Sequence, residues 1–266
     1  MLVKEKTAMI KRIGLFAVVI LCCFFASACS SSNQIQEQAE TELTVSAAAS
    51  LQNVLNEIKT DFENDHTNIT LTFNFGGSGS LQQQISQGAP ADLFFSAAED
   101  KFQTLVDEGL IGEGKNLLGN DLVLIASKGV TSKVSSFEDL SAFETLSIGT
   151  PESVPAGKYA KEALSNLNIW ENVTDKIVYA KDVRQVLTYV ETGNVDAGIV
   201  YNTDALVSEN VEIIDSAPKG THEDIIYPVG ILKESDHQEE AKLFYDYLQS
   251  EKAMAIFKKY GFKGLN

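Results

Sequence analysis

The chain has 266 residues, with 21 Lys and Arg against 37 Asp and Glu, which gives a formal net charge of −16 at pH 7. This acidity excludes nucleic acid as a partner, because phosphate backbones are bound by basic surfaces. It also makes the field of the whole protein repel anions, so any anion site must act through local dipoles. The length is sufficient for one large domain or two smaller domains with real cores.

The N-terminus is organised like a bacterial export signal. A short basic stretch precedes the uncharged run 13–25, which is too short to span a membrane comfortably and is typical of the apolar core of a signal peptide. The segment MIKRIGLF, which starts at Met9, is already a complete signal start. Both Met1 and Met9 therefore remain open as the initiator.

Small residues lead up to Cys29, and a stretch rich in Ser, Gln and Glu follows it. This arrangement resembles a bacterial lipoprotein signal, in which Cys29 is the lipidated first residue of the mature protein. We predict a signal peptide over 1–28 and a flexible linker over 29–41, because the linker has too few apolar residues to pack. An ordinary signal peptide cut near Ala28 is the alternative.

Apolar periodicity alternates between strand and helix along the rest of the chain. Strands are predicted at 43–45, 69–75, 92–96, 122–126, 146–148, 177–179, 195–201, 211–214 and 225–232. Helices are predicted around 51–62, 81–85, 102–106, 159–167 and 183–190, with two amphipathic helices over 238–260. This alternation predicts an α/β fold with mostly parallel sheets, whose ligands lie at the carboxyl ends of the strands.

Small, neutral hydrogen-bond donors recur where a predicted strand ends and a helix or loop begins. The segments are AAASL (47–51), FGGSGSL (75–81), PESVPAGKYA (151–160), AKDVRQVL (180–187) and GIVYNTDA (198–205). A helix start offers unpaired backbone N–H groups and a partial positive charge, so it can hold an anion without a cationic side chain. Several such starts aimed at one point would form a cage for an oxyanion.

Each segment also has a simpler interpretation. Ser50 precedes a helix and could be a plain N-cap, and Asp182 is a good cap for the next candidate helix start. The glycine-rich turn could be an ordinary flexible loop; it is not a P-loop, because no Gly-Lys-Ser/Thr follows. Pro155 suits the first turn of a helix, and Tyr201 at a strand end could pack in the core. We interpret the charges of Asp182, Arg184 and Glu191 as solvated or as lying between lobes.

Residues suited to catalysis or metal binding are sparse. No cysteine follows Cys29, and His66, His222 and His237 are scattered, with no second histidine at a metal-binding spacing. No base, nucleophile or cofactor constellation is evident. We therefore predict a binding protein with no enzymatic activity, no cofactor and no separate metal site.

Several longer motifs carry a resemblance when they are taken in order. They are AAASL, GAPADLFFSA, LLGNDLVLIA, VPAGKYAKEAL, DVRQVL, GIVYNTDA and FYDYLQSEKAMAIFKKYGF. Together they resemble the bacterial molybdate-binding proteins of ABC importers, from about Glu42 to Phe262. The resemblance implies a type II periplasmic-binding-protein fold, in which two α/β lobes are joined by two crossing strands and close over a ligand. It places lobe one at 42–120 and 226–266, and lobe two at 121–225.

The resemblance also implies a set of ligand-binding residues. Carried over one position at a time, the set is Ser50, Ser78, Ala156, Val183 and Tyr201. The serines and the tyrosine would act through their hydroxyls, whereas Ala156 and Val183 would act through their backbone N–H groups. Ser80 remains a substitute for Ser78, because the turn reads Gly-Gly-Ser-Gly-Ser where the family often has a run of serines.

The chemistry of such a site fits a tetrahedral dianion. Molybdate carries no proton at neutral pH, so it only accepts hydrogen bonds and matches a cage made of donors. Phosphate keeps a proton, and an unsatisfied P–O–H costs roughly 1–3 kcal/mol or more. Sulfate can be rejected only by size, and tungstate is too similar to molybdate for useful discrimination.

The resulting prediction is an extracytoplasmic, lipid-anchored monomer that captures molybdate or tungstate and passes it to the membrane permease of an ABC importer. A binder of another tetrahedral oxyanion, such as sulfate or phosphate, is the nearer alternative. A transferase on the same fold is a more distant one.

Overall fold

The computed structural model describes residues 40–129 and 134–265, which belong to one compact unit. The predicted signal peptide, Cys29 and most of the predicted linker lie outside the described residues. Within the described ranges, no helix is long and apolar enough to cross a membrane.

Strands and helices alternate through most of the described chain. The strands are β1 (Thr41–Ala48), β2 (Ile69–Gly76), β3 (Leu93–Phe95), β4 (Ile111–Gly119), β5 (Leu122–Ser127), β6 (Leu146–Gly149), β7 (Ile177–Ala180), β8 (Ala197–Tyr201), β9 (Val211–Ser216), β10 (Ile226–Leu232) and β11 (Lys263–Gly264). The α-helices are α1 (Gln52–Asp65), α2 (Ser78–Ser86), α3 (Glu99–Asp107), α4 (Pro155–Asn166), α5 (Trp170–Val173), α6 (Val183–Glu191), α7 (Asn202–Leu206), α8 (Gln238–Leu248) and α9 (Glu251–Lys259). Short 3-10 helices lie at Ala49–Leu51, Phe137–Ala142 and Thr174–Lys176.

The first lobe is built on a six-stranded sheet with the order β11-β4-β10-β3-β1-β2. Strand β1 lies parallel to β2 and β3, and its apolar residues Leu43, Val45 and Ala47 are fully buried. Helix α1 turns Val54, Leu55, Ile58 and Phe62 toward the core at helical spacing. The parallel register brings the carboxyl ends of β1, β2 and β3 to one edge of the sheet.

The second lobe is built on a five-stranded sheet with the order β7-β6-β8-β5-β9. Strand β8 is buried along its whole length, and β6 lies parallel to both β7 and β8. Helices α4 and α6 follow β6 and β7, so their amino termini lie at the carboxyl edge of this sheet.

The chain passes twice between the sheets, from β4 into β5 and from β9 back into β10. These two crossings are hydrogen-bonded to each other, because the N–H of Asn120 donates to the carbonyl of Ile225 at 3.2 Å. Close by, the N–H of Ala217 donates to the carbonyl of Leu122 at 2.9 Å. The lobes are thus joined by a pair of crossing segments that are hydrogen-bonded to each other.

The α/β prediction is confirmed, but the prediction of mostly parallel sheets is wrong. Strand β10 runs antiparallel to β3 and β4, and β5 runs antiparallel to β8 and β9. The reason is that the chain crosses between the lobes twice. A strand that enters a lobe from the other one, as β5 and β10 do, runs in the opposite direction to its neighbours in the sheet. Strand β4 was not predicted, because most of its residues are exposed or are glycines and show no apolar period.

Candidate functional site

A small cavity lies between the two lobes and is lined by all five of the predicted segments. Its walls are formed by residues 48–50, 76–78 and 154–156, together with Ala97, Val183 and Tyr201. The volume open to the centre of a water-sized sphere is about 10 Å³, so the lobes are closed tightly around it. The structure therefore brings together Ser50, Ser78, Ala156, Val183 and Tyr201, the complete predicted set.

Ser50 lies in the short 3-10 helix that separates β1 from α1. It is 7% exposed, and its side chain caps neither this turn nor α1, so the interpretation as a plain N-cap is wrong. The 3-10 turn displaces Ser50 from the cap position, which is occupied by Leu51. Its Oγ lies 3.0 Å from the hydroxyl of Tyr227.

Ser78 is the first residue of α2 and is fully buried. Its Oγ accepts a hydrogen bond of 2.9 Å from the backbone N–H of Ala97, which follows β3. Ser78 lines the cavity, whereas Ser80 is not among its lining residues. Of the two serines left open by the sequence, the structure places Ser78 at the site.

Two helix starts of the second lobe supply backbone N–H groups. Ala156 is the second residue of α4, directly after Pro155, and Val183 is the first residue of α6. N–H groups at these positions have no partner within their own helix. Asp182 caps α6 as predicted, because its Oδ1 accepts from the N–H of Gln185 at 2.9 Å. Each helix start therefore points free N–H groups and its positive dipole end at the cavity.

Tyr201 ends β8, and only 1% of it is exposed. Its ring packs edge-on against Tyr227 with 5.7 Å between ring centroids, and its buried hydroxyl has no hydrogen-bond partner among the described residues. Burial raises the pKa of Tyr201 well above its ordinary value, so the hydroxyl keeps its proton. Buried polar groups are rarely left unpaired, so this O–H is a donor that faces the cavity without an acceptor.

A polar network behind the cavity was missed by the sequence reasoning. The fully buried Tyr227 of β10 bonds Ser50, and the side-chain nitrogen Nδ2 of Asn120 lies 3.2 Å from the Tyr227 hydroxyl. The same nitrogen donates to Oγ1 of Thr203 at 2.9 Å, so the network reaches across the crossing segments into α7. Nothing in the local sequence distinguishes Tyr227 from an ordinary core aromatic within an apolar strand.

The described lining of the cavity contains no cationic side chain. Arg184 follows the lining residue Val183 in the sequence, but its Nη1 lies 3.6 Å from Oδ1 of Asp204. Both residues belong to the second lobe, and the Arg184 side chain is 27% exposed, so Arg184 is a partly solvated charge that pairs within its own lobe. Asp204 is fully buried, and that burial raises its pKa to about 7 despite the opposing effect of Arg184.

The arrangement can hold an ion that only accepts hydrogen bonds. It offers hydroxyl and backbone N–H donors, and none of the described residues that line it carries a carboxylate. Across the described residues, no group of three or more His, Cys, Asp or Glu is placed to bind a metal cation.

Residues 43–263 match the bacterial extracellular solute-binding protein family. The chain belongs to this family. The family is one of extracellular solute-binding proteins, in keeping with a cavity lined by hydrogen-bond donors.

Two curated relatives are similar over nearly their whole length. The chain is 54% identical to the Bacillus subtilis protein named ABC transporter substrate-binding lipoprotein YvgL, over 96% of this chain and 99% of the relative. It is 38% identical to the molybdate-binding protein ModA of Escherichia coli, over 84% of this chain and 89% of that protein. This solute-binding protein is therefore an ABC transporter substrate-binding protein with molybdate-binding homologues.

Solved structures show the same fold. The substrate-binding domain of a molybdenum ABC transporter from Clostridium difficile is 43% identical, with a TM-score of 0.66 over 85% of this chain and 100% of that one. The periplasmic molybdate-binding protein of Azotobacter vinelandii is 25% identical, with a TM-score of 0.75 over 83% of this chain and 98% of that one. The predicted type II periplasmic-binding-protein fold is confirmed.

Proposed function

We propose that this solute-binding protein captures molybdate, and tungstate equally well, and delivers it to the permease of an ABC importer. The observation that carries the proposal is the buried Tyr201 hydroxyl, which has no hydrogen-bond partner within 40–129 and 134–265 and belongs to a residue that lines a cavity made of donors. An ion with four proton-free oxygens supplies the missing acceptors. We further propose that the protein works as a monomer and without a cofactor.

The proposed ligand set is Ser50, Ser78, Ala156, Val183 and Tyr201. Burying a dianion without a cation is tolerable only where every oxygen is well bonded, and both lobes contribute donors here. The two serines come from lobe one and the other residues come from lobe two, so the ion would hold the lobes together. The molybdate-binding names of several relatives support the choice of ion.

Sulfate is the competing candidate, because it has the same charge and also lacks a proton. The sulfate-binding protein of Mycobacterium tuberculosis shares the fold, at a TM-score of 0.74 and 16% identity. A cage sized for longer metal–oxygen bonds would leave the oxygens of sulfate too far from several donors.

A thermal-shift series with molybdate, tungstate, sulfate and phosphate tests the choice of ion. A ligand bound only to the native state raises stability by RT ln(1 + [L]/Kd), which is about 4 kcal/mol at a thousandfold excess over Kd. Molybdate and tungstate should raise the melting temperature strongly, sulfate weakly and phosphate least. A shift with none of these dianions, or one with sulfate alone, contradicts the proposal.

We also propose that Cys29 carries a lipid that holds the protein on the outer side of the membrane. The support is the small-residue run before Cys29 and the lipoprotein name of the Bacillus subtilis relative. In cells fed a labelled fatty acid, the wild-type protein should be labelled and the Cys29→Ser variant should not. An unlabelled wild-type protein found free in the medium contradicts the anchor.

A further inference from the structure

The orientation of the Asn120 side chain is fixed by its backbone neighbour. The N–H of Asp121 can only donate, and it lies 2.9 Å from Oδ1 of Asn120. That oxygen is therefore the acceptor, and the amide nitrogen must face Thr203 and Tyr227, at 2.9 Å and 3.2 Å. Asn120 is 8% exposed, so its two N–H groups are used inside the protein.

This orientation decides where the proton of Tyr227 goes. The Tyr227 hydroxyl receives an N–H from Asn120, which has no lone pair to offer in return. Among the described residues, the other side-chain atom within hydrogen-bond distance of that hydroxyl is Oγ of Ser50, at 3.0 Å, whereas the neighbouring Tyr201 hydroxyl has no hydrogen-bond partner there. Tyr227 is fully buried, so a proton turned elsewhere would go unpaired. Tyr227 therefore donates to Ser50.

The direction of the Ser50 hydroxyl follows from the bond that Tyr227 donates to it. One lone pair of its Oγ is taken by Tyr227, and its own proton is left to point into the cavity. Ser78 is held in the same sense, because its Oγ accepts from the N–H of Ala97, which can only donate. Both serine hydroxyls thus face the cavity as donors, and each is set by a donor behind it.

We propose that Asn120 and Tyr227 are positioning residues that select a proton-free oxyanion by fixing the direction of the Ser50 hydroxyl. The inference rests on the proposed function and deepens it, since it names the residues that reject a protonated ligand. A ligand oxygen that carries a proton would force Ser50 to turn its own proton away from the cavity. Hydrogen phosphate meets that penalty, whereas molybdate and sulfate do not.

The test is Tyr227→Phe, which keeps the ring packing but removes the donor behind Ser50. Without that donor, Ser50 can rotate and accept from a protonated ligand. We expect the ratio of the phosphate Kd to the molybdate Kd to fall by roughly tenfold, the scale of one hydrogen bond. The ratio of the sulfate Kd to the molybdate Kd should stay within about twofold, because sulfate carries no proton.

The measurement with sulfate distinguishes a change in the direction of the Ser50 hydroxyl from a general loosening of the cavity. A cavity that is merely loosened by the mutation would admit sulfate and phosphate alike, and both ratios would then fall together. Tyr245→Phe is the matched control, because Tyr245 is a buried tyrosine of α8 that does not line the cavity. Neither ratio should change in that control.

A double mutant shows whether Tyr227 acts through Ser50. In a Ser50→Ala background, Tyr227→Phe should leave the phosphate-to-molybdate ratio unchanged, because there is no hydroxyl left to orient. An unchanged phosphate ratio in Tyr227→Phe alone, or equal falls in both ratios, overturns the inference even though the wild type binds molybdate. If the wild type binds no tetrahedral oxyanion at all, the proposed function itself fails.

Discussion

Single hydroxyl groups give the cavity its chemistry. Tyr201, Ser50 and Ser78 bring O–H groups to one point, and only that of Tyr201 has no partner in the described structure. The tyrosine hydroxyl is therefore the donor whose bonding would change most when an acceptor ion arrives.

Tyr201→Phe should weaken molybdate binding by roughly ten- to a hundredfold, because it removes one hydrogen bond to a charged acceptor. The free energy of unfolding without ligand should stay the same or rise slightly, since the lost hydroxyl is buried and unpaired. Calorimetric titration and denaturant unfolding measure the two quantities. An unchanged molybdate Kd would return Tyr201 to a role in core packing alone.

Asp204 lowers the free energy of unfolding by an amount that depends on pH. Its folded pKa of about 7 lies above the ordinary value of 3.8, so the native state holds a proton that the unfolded chain releases. The cost is absent in acid and appears as the pH rises from about 4 through about 7. Asp204→Asn should therefore gain stability relative to wild type as the pH rises across that window. Denaturant unfolding at several pH values would contradict this if the difference were constant or fell.

The five residues that line the cavity and form the proposed ligand set could be predicted to lie together, because each belongs to a motif with an ordered place in the chain. Tyr227 and Asn120 could not, because their roles depend on contacts 177 and 83 residues away along the sequence, with Ser50 and Thr203. The capping interpretation of Ser50 was wrong because a 3-10 turn between β1 and α1 moves the cap position by one residue. The local sequence pattern does not distinguish such a 3-10 turn from the first turn of the α-helix that follows it.

Helix starts and glycine turns are the elements that bring the lobes together. The N–H of Gly79, in α2, donates to the carbonyl of Ser153 at 2.9 Å, a bond between lobe one and the turn before α4. A Cβ at Gly79 would lie 2.8 Å from Cα of Ser153, and one at Gly77 would lie 2.9 Å from its carbonyl oxygen. Glycine is thus required where the two backbones meet in the closed form.

Gly79→Ala should weaken molybdate binding by roughly tenfold or more while leaving the ligand-free melting temperature nearly unchanged. The added methyl group clashes with backbone only when the lobes are closed, so it penalises the bound form. Gly112→Ala is the control, because its nearest contact is the flexible Lys233 side chain at 3.3 Å. Equal losses of affinity in the two variants would argue against a closure contact at Gly79.

At the element scale, the sequence predicted most strands and helices, including the two C-terminal helices α8 and α9. It could not predict strand direction across the crossings, because apolar period is the same in parallel and antiparallel strands. Strand β4 was not predicted because five consecutive exposed residues, two of them glycines, separate the buried Ile111 from the three buried residues at the end of the strand.

The molecule as a whole is acidic, yet we propose that it binds a dianion. With a net charge of −16 and no cationic side chain in the described lining, the site would bind against the protein's own field. Local N–H dipoles act at contact distance, where salt screens little, whereas the repulsion by surface charges is long-ranged and is screened.

Molybdate binding should therefore not weaken as KCl is raised from about 0.01 M to about 0.15 M, and the association rate should increase modestly. A site that relied on exposed lysine or arginine would show the opposite trend. Stopped-flow fluorescence of the titrated protein measures the rate, and a steep loss of affinity with salt would contradict binding by dipoles.

The central claim is that this cavity is built for one proton-free tetrahedral oxyanion, and calorimetric titration with molybdate in the presence and absence of phosphate tests it most directly. We predict one molybdate bound per chain, and a molybdate Kd that changes by less than about twofold when phosphate is present at the same concentration as molybdate. No binding of molybdate, or its displacement by phosphate at comparable concentration, would contradict the account.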